Sequence, residues 1–189
     1  MILTFNNKIL TAGTKWLEQG SSPTPSFRTV VIGNQEWMAE NLAIDDGGEG
    51  IVHFDNVTAN GVNFGTQYYY TQVAALRIAE SIEGWHLPSK SEFEELAATA
   101  GGMLTYGTAT KLKSTSGWTG TQGSDIFGFT ALPVGNYRTE LSGVGSYASF
   151  MSSTTPVKQP WTMGMDGETY LRQGTTYADT HTSIRLVKD

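Results

Sequence analysis

Residues Gly84 to Leu96, GWHLPSKSEFEEL, constrain the fold more than any other stretch, because a rigid aromatic-proline turn runs straight into a complete helix-start signal. Ser89 is a good N-cap, and Glu92 three residues later can reach back to its amide, so Ser89-Lys90-Ser91-Glu92 reads as a capping box. Phe93, Leu96, Ala97 and Ala100 then recur at helical spacing, and Gly101-Gly102 supplies a left-handed stop. The spacing predicts an amphipathic helix over Lys90 to Ala100.

A first helix is predicted over Tyr70 to Ile82, where Val73, Leu76 and Ala79 stand at threefold spacing. Upstream, strand-like Thr29-Val30-Val31-Ile32 meets a turn at Gly33-Asn34 and the block Gln35-Glu36-Trp37-Met38. Asp45 to Gly50 and Thr58 to Gly65 read as loops, and a short turn surrounds Ala109 to Lys113. From Gly117 onward, short runs broken by Gly, Pro, Asn and Ser favour strands and long connections. The last eight residues, TSIRLVKD, alternate as a closing strand would. Two helices followed by a β-rich, glycine-rich remainder make the expected fold class α+β.

The start of the chain reads separately. Ile2-Leu3-Thr4-Phe5 and Lys8-Ile9-Leu10-Thr11 flank Asn6-Asn7, which suits a tight hairpin turn. A lone hairpin is marginal in water, so it needs the main domain or a partner to pack against. Gly20 to Ser26, GSSPTPS, reads as a linker. The expected organisation is an attachment segment and linker over residues 1–26 and one domain over residues 27–189.

Composition narrows the functions. The length of 189 residues suits one domain with an appendage, and 39% hydrophobic residues with 22 glycines suit a globular, turn-rich chain. The net charge of −6, with no basic run or basic helix, argues against a nucleic-acid or anionic-lipid partner. No stretch approaches a membrane span, and MILTFNNKILTAG lacks the pattern of a secretory signal. The absence of cysteine excludes disulfides, thiolate metal sites and cysteine catalysis, and fits maturation in a reducing compartment.

Candidate chemistry is sparse. His53, His86 and His181 are scattered, with no metal-ligand spacing. Asp45, Asp46 and Glu49 would suit a hard cation, but the EF-hand spacing is absent here and around Asp55, Asn56, Asn60 and Asn63, so a solvated acidic loop is the expectation. No serine stands in a Gly-x-Ser-x-Gly elbow. The expectation is therefore no enzyme, no metal and no cofactor.

GWHLP followed by a short acidic helix resembles the Fibrobacter-type major paralogous domain, a bacterial family similar to C-type lectin-like folds. Further blocks follow in the family's order: VIGNQEWMAENL from Val31, YYTQVAA from Tyr69, KLKSTSGW from Lys111, FGFTALP from Phe127, GVGSYASFMSST from Gly143 and SIRLVKD from Ser183. Many members carry cysteines where this chain has Ser81 and Leu186. The resemblance implies a C-type lectin-like fold with two helices, a small antiparallel sheet, long loops and neighbouring chain ends. It also implies that His86 is a structural residue under the turn, that Met163 and Tyr170 fill buried positions, and that His181 is a surface residue. The Glu-Pro-Asn and Trp-Asn-Asp signatures of calcium-dependent lectins are absent, and the cysteine chemistry of the related sulfatase-modifying enzymes cannot operate.

The same fold is similar to the variable proteins of diversity-generating retroelements, including phage receptor-binding tips, and the N-terminal segment resembles the starts of prophage tail-associated proteins. The resemblance therefore implies a non-enzymatic binding module on a phage or prophage tail, made in the cytoplasm and carried on the virion. Residues 1–26 would attach it to the tail or another structure, with a homotrimer built through Met1 to Gly13 as a further expectation. Its partner would be a bacterial surface protein or glycan. The expected contacts are Tyr147, Phe150, Trp161, Thr162, Met165, Arg172, Gln173, Tyr177, Asp179 and His181, where aromatics and polar groups are dense and the framework is least constrained. A cell-surface adhesin or glycan-binding module without diversification is the alternative, and a sulfatase-modifying-like enzyme with altered chemistry is the third reading.

Overall fold

The computed structural model describes residues 26–155 and 159–189, together with the backbone of three short strands before them. Those strands, β1 (Thr4–Phe5), β2 (Lys8–Leu10) and β3 (Trp16–Glu18), form an antiparallel meander with Thr4 opposite Ile9 and Lys8 opposite Glu18. The expected pairing across Asn6-Asn7 is present, and the third strand is an addition to it. The turn residues themselves, the linker up to Pro25 and the trimer contact lie outside the described residues.

The domain opens with the hairpin β4 (Thr29–Ile32) and β5 (Gln35–Met38) around Gly33-Asn34. Next come β6 (Ile51–Phe54), the small hairpin β7 (Thr58–Ala59) and β8 (Val62–Asn63), and β9 (Gln67–Tyr70), which pairs with β6. Thr58 to Gly65 is thus a hairpin and not a loop. Asn60 at φ 49° and Gly61 at φ 77° form the left-handed pair that a tight hairpin turn needs, and Asn-Gly is the sequence best suited to it.

Helix α1 (Gln72–Glu80) starts after Thr71, whose side chain accepts from the Ala74 amide. It is shorter than expected because Tyr69 and Tyr70 belong to β9, and its buried face is Ala74, Ala75, Ile78 and Ala79. Val73, expected on that face, is 74% exposed. After β10 (Trp85–His86), α2 (Lys90–Ala100) carries the full capping box: Ser89 Oγ accepts from the Glu92 amide, and Glu92 Oε2 accepts from the Ser89 amide at 2.7 Å. Such a cap is worth about 1 kcal/mol. Gly101 and Gly102, both at positive φ, end the helix with their amides on the Ala97 carbonyl.

A 3-10 turn at Ala109–Lys111 leads into the β-rich remainder. There β11 (Val134–Tyr137), β12 (Leu141–Val144), β13 (Tyr147–Met151), β14 (Trp161–Asp166) and β15 (Leu171–Thr175) form a five-stranded sheet in the order β12-β11-β13-β14-β15. All its pairings are antiparallel except β11 with β13. The closing strand is short: β16 (Val187–Lys188) lies between β10 and β5 in the sheet β10-β16-β5-β4. The domain's first and last strands therefore share one sheet. Among the described residues, two helices and several small sheets make the fold α+β, and no helix is long and apolar enough to cross a membrane.

The helices are held by different core clusters. Phe93, Leu96, Ala97 and Ala100 of α2 pack with Trp37, Trp118, Phe129, Phe150, Trp161, Met163 and Met165. Ala74, Ala75, Ile78 and Ala79 of α1 pack with Met38, Leu42, Met151, Ile184 and Leu186. Trp37 and Met38 are neighbours on β5, as are Phe150 and Met151 on β13, and successive strand residues point to opposite faces. Each strand thus feeds both clusters. The rings of Trp37 and Phe93 lie 5.2 Å apart, and those of Phe93 and Trp161 5.7 Å, pairs worth about 1 kcal/mol each beyond their burial.

Two buried cations tie down the loops. Lys113 spends its three ammonium protons on the carbonyls of Thr121, Asp166 and Glu168 at 2.6 to 3.0 Å, with the Trp118 ring 4.0 Å away. Burial lowers its pKa, although all three protons are engaged. Arg185, also fully buried, binds the carbonyls of Met38, Phe129 and Thr130.

Candidate functional site

The backbone bridge between Tyr137 and His181 brings two distant segments into one surface. Each amide donates to the other's carbonyl, at 2.9 and 2.7 Å, and the two rings meet edge to face at 5.4 Å. Phe54 of β6 packs on the Tyr137 ring at 5.5 Å from beneath. Next along the chain, Arg138 lies with its guanidinium carbon 4.0 Å over the Tyr177 ring and its Nε 2.9 Å from Asp179 Oδ1. That arginine holds the Asp179 carboxyl below its usual pKa. His181 Nδ1 lies 3.0 Å from the Asp179 carbonyl, and partial burial lowers the imidazole's pKa. The structure thus brings Tyr177, Asp179 and His181 together, with Tyr177 58% exposed. Tyr137 and Arg138 complete the group. No signal in the sequence linked them to residues some forty positions later, because only the bridge does so.

Arg172 and Gln173 are exposed on β15, the edge strand of the sheet. Arg172 is engaged by Asp166 at 2.6 Å and Glu168 at 3.3 Å. Nearby, the Leu104 amide donates to the Leu171 carbonyl and the Tyr106 ring meets that of Tyr170 at 6.1 Å, so the strongly exposed Leu104 and Tyr106 border this edge. Neither was anticipated. Tyr170, expected to be buried, is half-buried there.

Tyr147 is half-buried, lying so close across Gly164 that a Cβ there would fall 2.5 Å from its hydroxyl. Burial raises its pKa.

Four expected contacts require correction. Phe150 and Met165 are fully buried, Trp161 is 4% exposed and Thr162 6% exposed. Phe150, Met165 and Trp161 face α2, and the paired registers Phe150 with Met163 and Ala148 with Met165 put them in the same core. Thr162 points to the other side of β14, which is also covered. They support the surface from inside the sheet.

The remaining candidates are held in ion pairs. His86 spans Glu92 and Asp189 at 2.6 Å each, which ties the end of the sheet to the α2 cap. Partial burial alone would lower its pKa, but the two carboxylates outweigh that and raise it. In the acidic loop, Arg77 grips Asp46 with two hydrogen bonds at 2.7 and 3.0 Å and donates to the Glu49 carbonyl, which holds the Asp46 carboxyl well below its usual range. Among the described residues, no group of three or more His, Cys, Asp or Glu is placed to hold a metal ion.

Comparison with curated proteins and with solved structures returned no match. The family model of the Fibrobacter succinogenes major domain matches residues 30–188, which include both helices, the five-stranded sheet and the Tyr177 face. The chain belongs to the Fibrobacter succinogenes major domain family.

Proposed function

We propose that the chain is a non-enzymatic receptor-binding module with a C-type lectin-like fold, presenting the Tyr177 face to a bacterial surface protein or glycan. The observation that carries this reading is an exposed tyrosine fixed in advance, with Arg138 across its ring and Asp179 holding that arginine. Tyr and Arg supply most of the energy in many interfaces, and fixing them before contact lowers the ordering cost of binding. Arg172 and Gln173, with Leu104 and Tyr106, extend the contact along the sheet edge. The specific form is a retroelement-diversified phage or prophage tail-tip protein, anchored through residues 1–26 and carried on the virion. Its support is the resemblance of the framework blocks and of the N-terminal segment.

A binding screen on bacterial surfaces and glycans, with and without chelator, tests the reading. The variant combining Arg138→Ala, Tyr177→Ala, Asp179→Ala and His181→Ala should lose binding while keeping its melting temperature. Full binding by that variant sinks the proposed face. A neighbouring reverse transcriptase with a template repeat favours the tail-tip form. A signal peptide upstream in the gene favours the alternative, a cell-surface adhesin without diversification.

A further inference from the structure

Arg185 sits in an apolar run of the sequence, yet its guanidinium is 0% exposed. Of its five N–H groups, Nε donates to Asn41 Oδ1 at 2.8 Å, Nη1 to the Met38 and Phe129 carbonyls at 3.0 and 2.5 Å, and Nη2 to the Thr130 carbonyl at 2.9 Å. Among the described residues, one N–H on Nη2 has no partner and no carboxylate is in hydrogen-bond contact with this cation. Asp125 and Glu40 act on it only from a distance, so its burial stays costly, and the rings of Phe129 and Phe150, 4.8 and 5.6 Å away, offset only part of that.

The residue that receives Nη2 is itself strained. Thr130 holds φ at 52°, a region that β-branched residues avoid, and it is kept there by Asp125, which accepts from its amide at 2.7 Å and its hydroxyl at 2.6 Å. Strain of this kind gathers where a structure must hold a group for a ligand.

Arg185 and Thr130 line a cleft of about 350 Å³. Gln67, 7% exposed, lines it too: its amide nitrogen donates to the Phe64 carbonyl and its oxygen accepts from Asn41, which leaves a second spare N–H. Arg28 adds a second guanidinium to the wall, and Phe64 and Tyr68 add aromatic rings. Glu40 is the one carboxylate in the lining, and Asp125 lies behind Thr130.

We infer that this cleft binds a single carboxylated sugar unit. Arg28 and the spare N–H of Gln67 take the carboxylate through charge-assisted hydrogen bonds, and the buried Arg185 behind them adds positive charge to the wall. The rings of Phe64 and Tyr68 border the sugar's C–H face, while the Asn41 amide, spent on Gln67, Ser183 and Arg185, holds the site's polar side chains in place. The volume is at the small end of ligand pockets, which suits one pyranose ring. The cleft shares no residue with the Tyr177 face, and this inference does not rest on the receptor-binding reading.

The test is a calorimetric titration of the full chain with D-glucuronate, D-glucose and N-acetyl-L-glutamate, with the side-chain amide signals of Asn41 and Gln67 followed by NMR. Glucuronate should bind at least about tenfold more tightly than either other probe and move both amide signals. Arg28→Ala at the rim, and Ala43→Trp, which fills the mouth from an exposed position, should each weaken glucuronate about tenfold without shifting the melting temperature. Equal binding of glucose, equal binding of N-acetylglutamate, no saturation, or variants that bind like the parent would each overturn the inference.

Discussion

Arg138 covers one face of the Tyr177 ring at 4.0 Å while its Nε reaches Asp179, so one guanidinium orders both an aromatic and a carboxylate. Arg138→Ala should leave Tyr177 in place along the chain but free about its side-chain torsions. The expected result is at least a tenfold loss of receptor affinity, about the effect of one good interface contact, with a melting shift below about 2 °C because the ion pair is exposed. Surface plasmon resonance and calorimetric melting on the same preparation would check both halves. A large melting shift would instead make the arginine a structural residue.

The interior residues of the same region should behave in the opposite way. Phe150→Ala should cost about 3 to 5 kcal/mol and Met165→Ala about 2 to 5 kcal/mol, because each empties space beneath α2 that its neighbours cannot close. Gln173→Ala on the exposed edge should stay within about 0.5 kcal/mol. Urea unfolding curves of the three variants separate framework from surface.

His86 makes stability depend on pH in a definite direction. Its folded pKa is raised above the ordinary 6.5, so the stabilisation is fully present below 6.5 and is lost as pH rises through the raised folded value. Glu92 works the other way: burial alone would raise its pKa, but the Ser89 amide and hydroxyl and the His86 ring lower it. Its contribution is present above 4.5 and is lost as pH falls through the lowered folded value. Unfolding measured between pH 5 and 8 should show parental stability declining across the upper part of this range, and His86→Gln should flatten that part. An unchanged slope in the variant would remove His86 from the account.

Lys113→Met keeps the length of the side chain but removes the buried ammonium on which three carbonyls converge, those of Thr121, Asp166 and Glu168. The expected cost is roughly 3 kcal/mol or more. Lys113→Arg should not restore it, because a planar fork cannot point at three carbonyls arranged around one nitrogen. Hydrogen exchange should show added opening in the segment from Thr115 to Gly120.

What could be read from the chain depended on how local the signal was. The Ser89 to Glu92 cap and the Gly101 stop are written within a dozen residues, and both stand as expected. The Asn60-Gly61 hairpin is equally local but was obscured by a run of Gly and Asn that also suits loops. The α1 face differs from the one the spacing predicts because tertiary contacts select Ala74 and Ile78 over Val73, and alanines carry little pattern. In β13, Ala148 to Met151 are buried on both sides, so no alternation marks which residues face solvent. That is why the sequence pattern places Phe150 among the surface contacts. The pairing of Arg138 with Tyr177 depends on a single long-range bridge, which no local spacing records.

The strand Val187–Lys188 pairs on one side with β10 and on the other with β5, and Arg185 beside it holds carbonyls of residues made up to 147 positions earlier. During synthesis, therefore, the sheet has no centre until residue 188 has left the ribosome. A nascent chain halted before that point would carry the Trp37 strand with an open edge and no guanidinium for the carbonyls of Met38, Phe129 and Thr130. The domain can close only after its last strand has been translated, and any chaperone that meets it earlier would find that edge exposed.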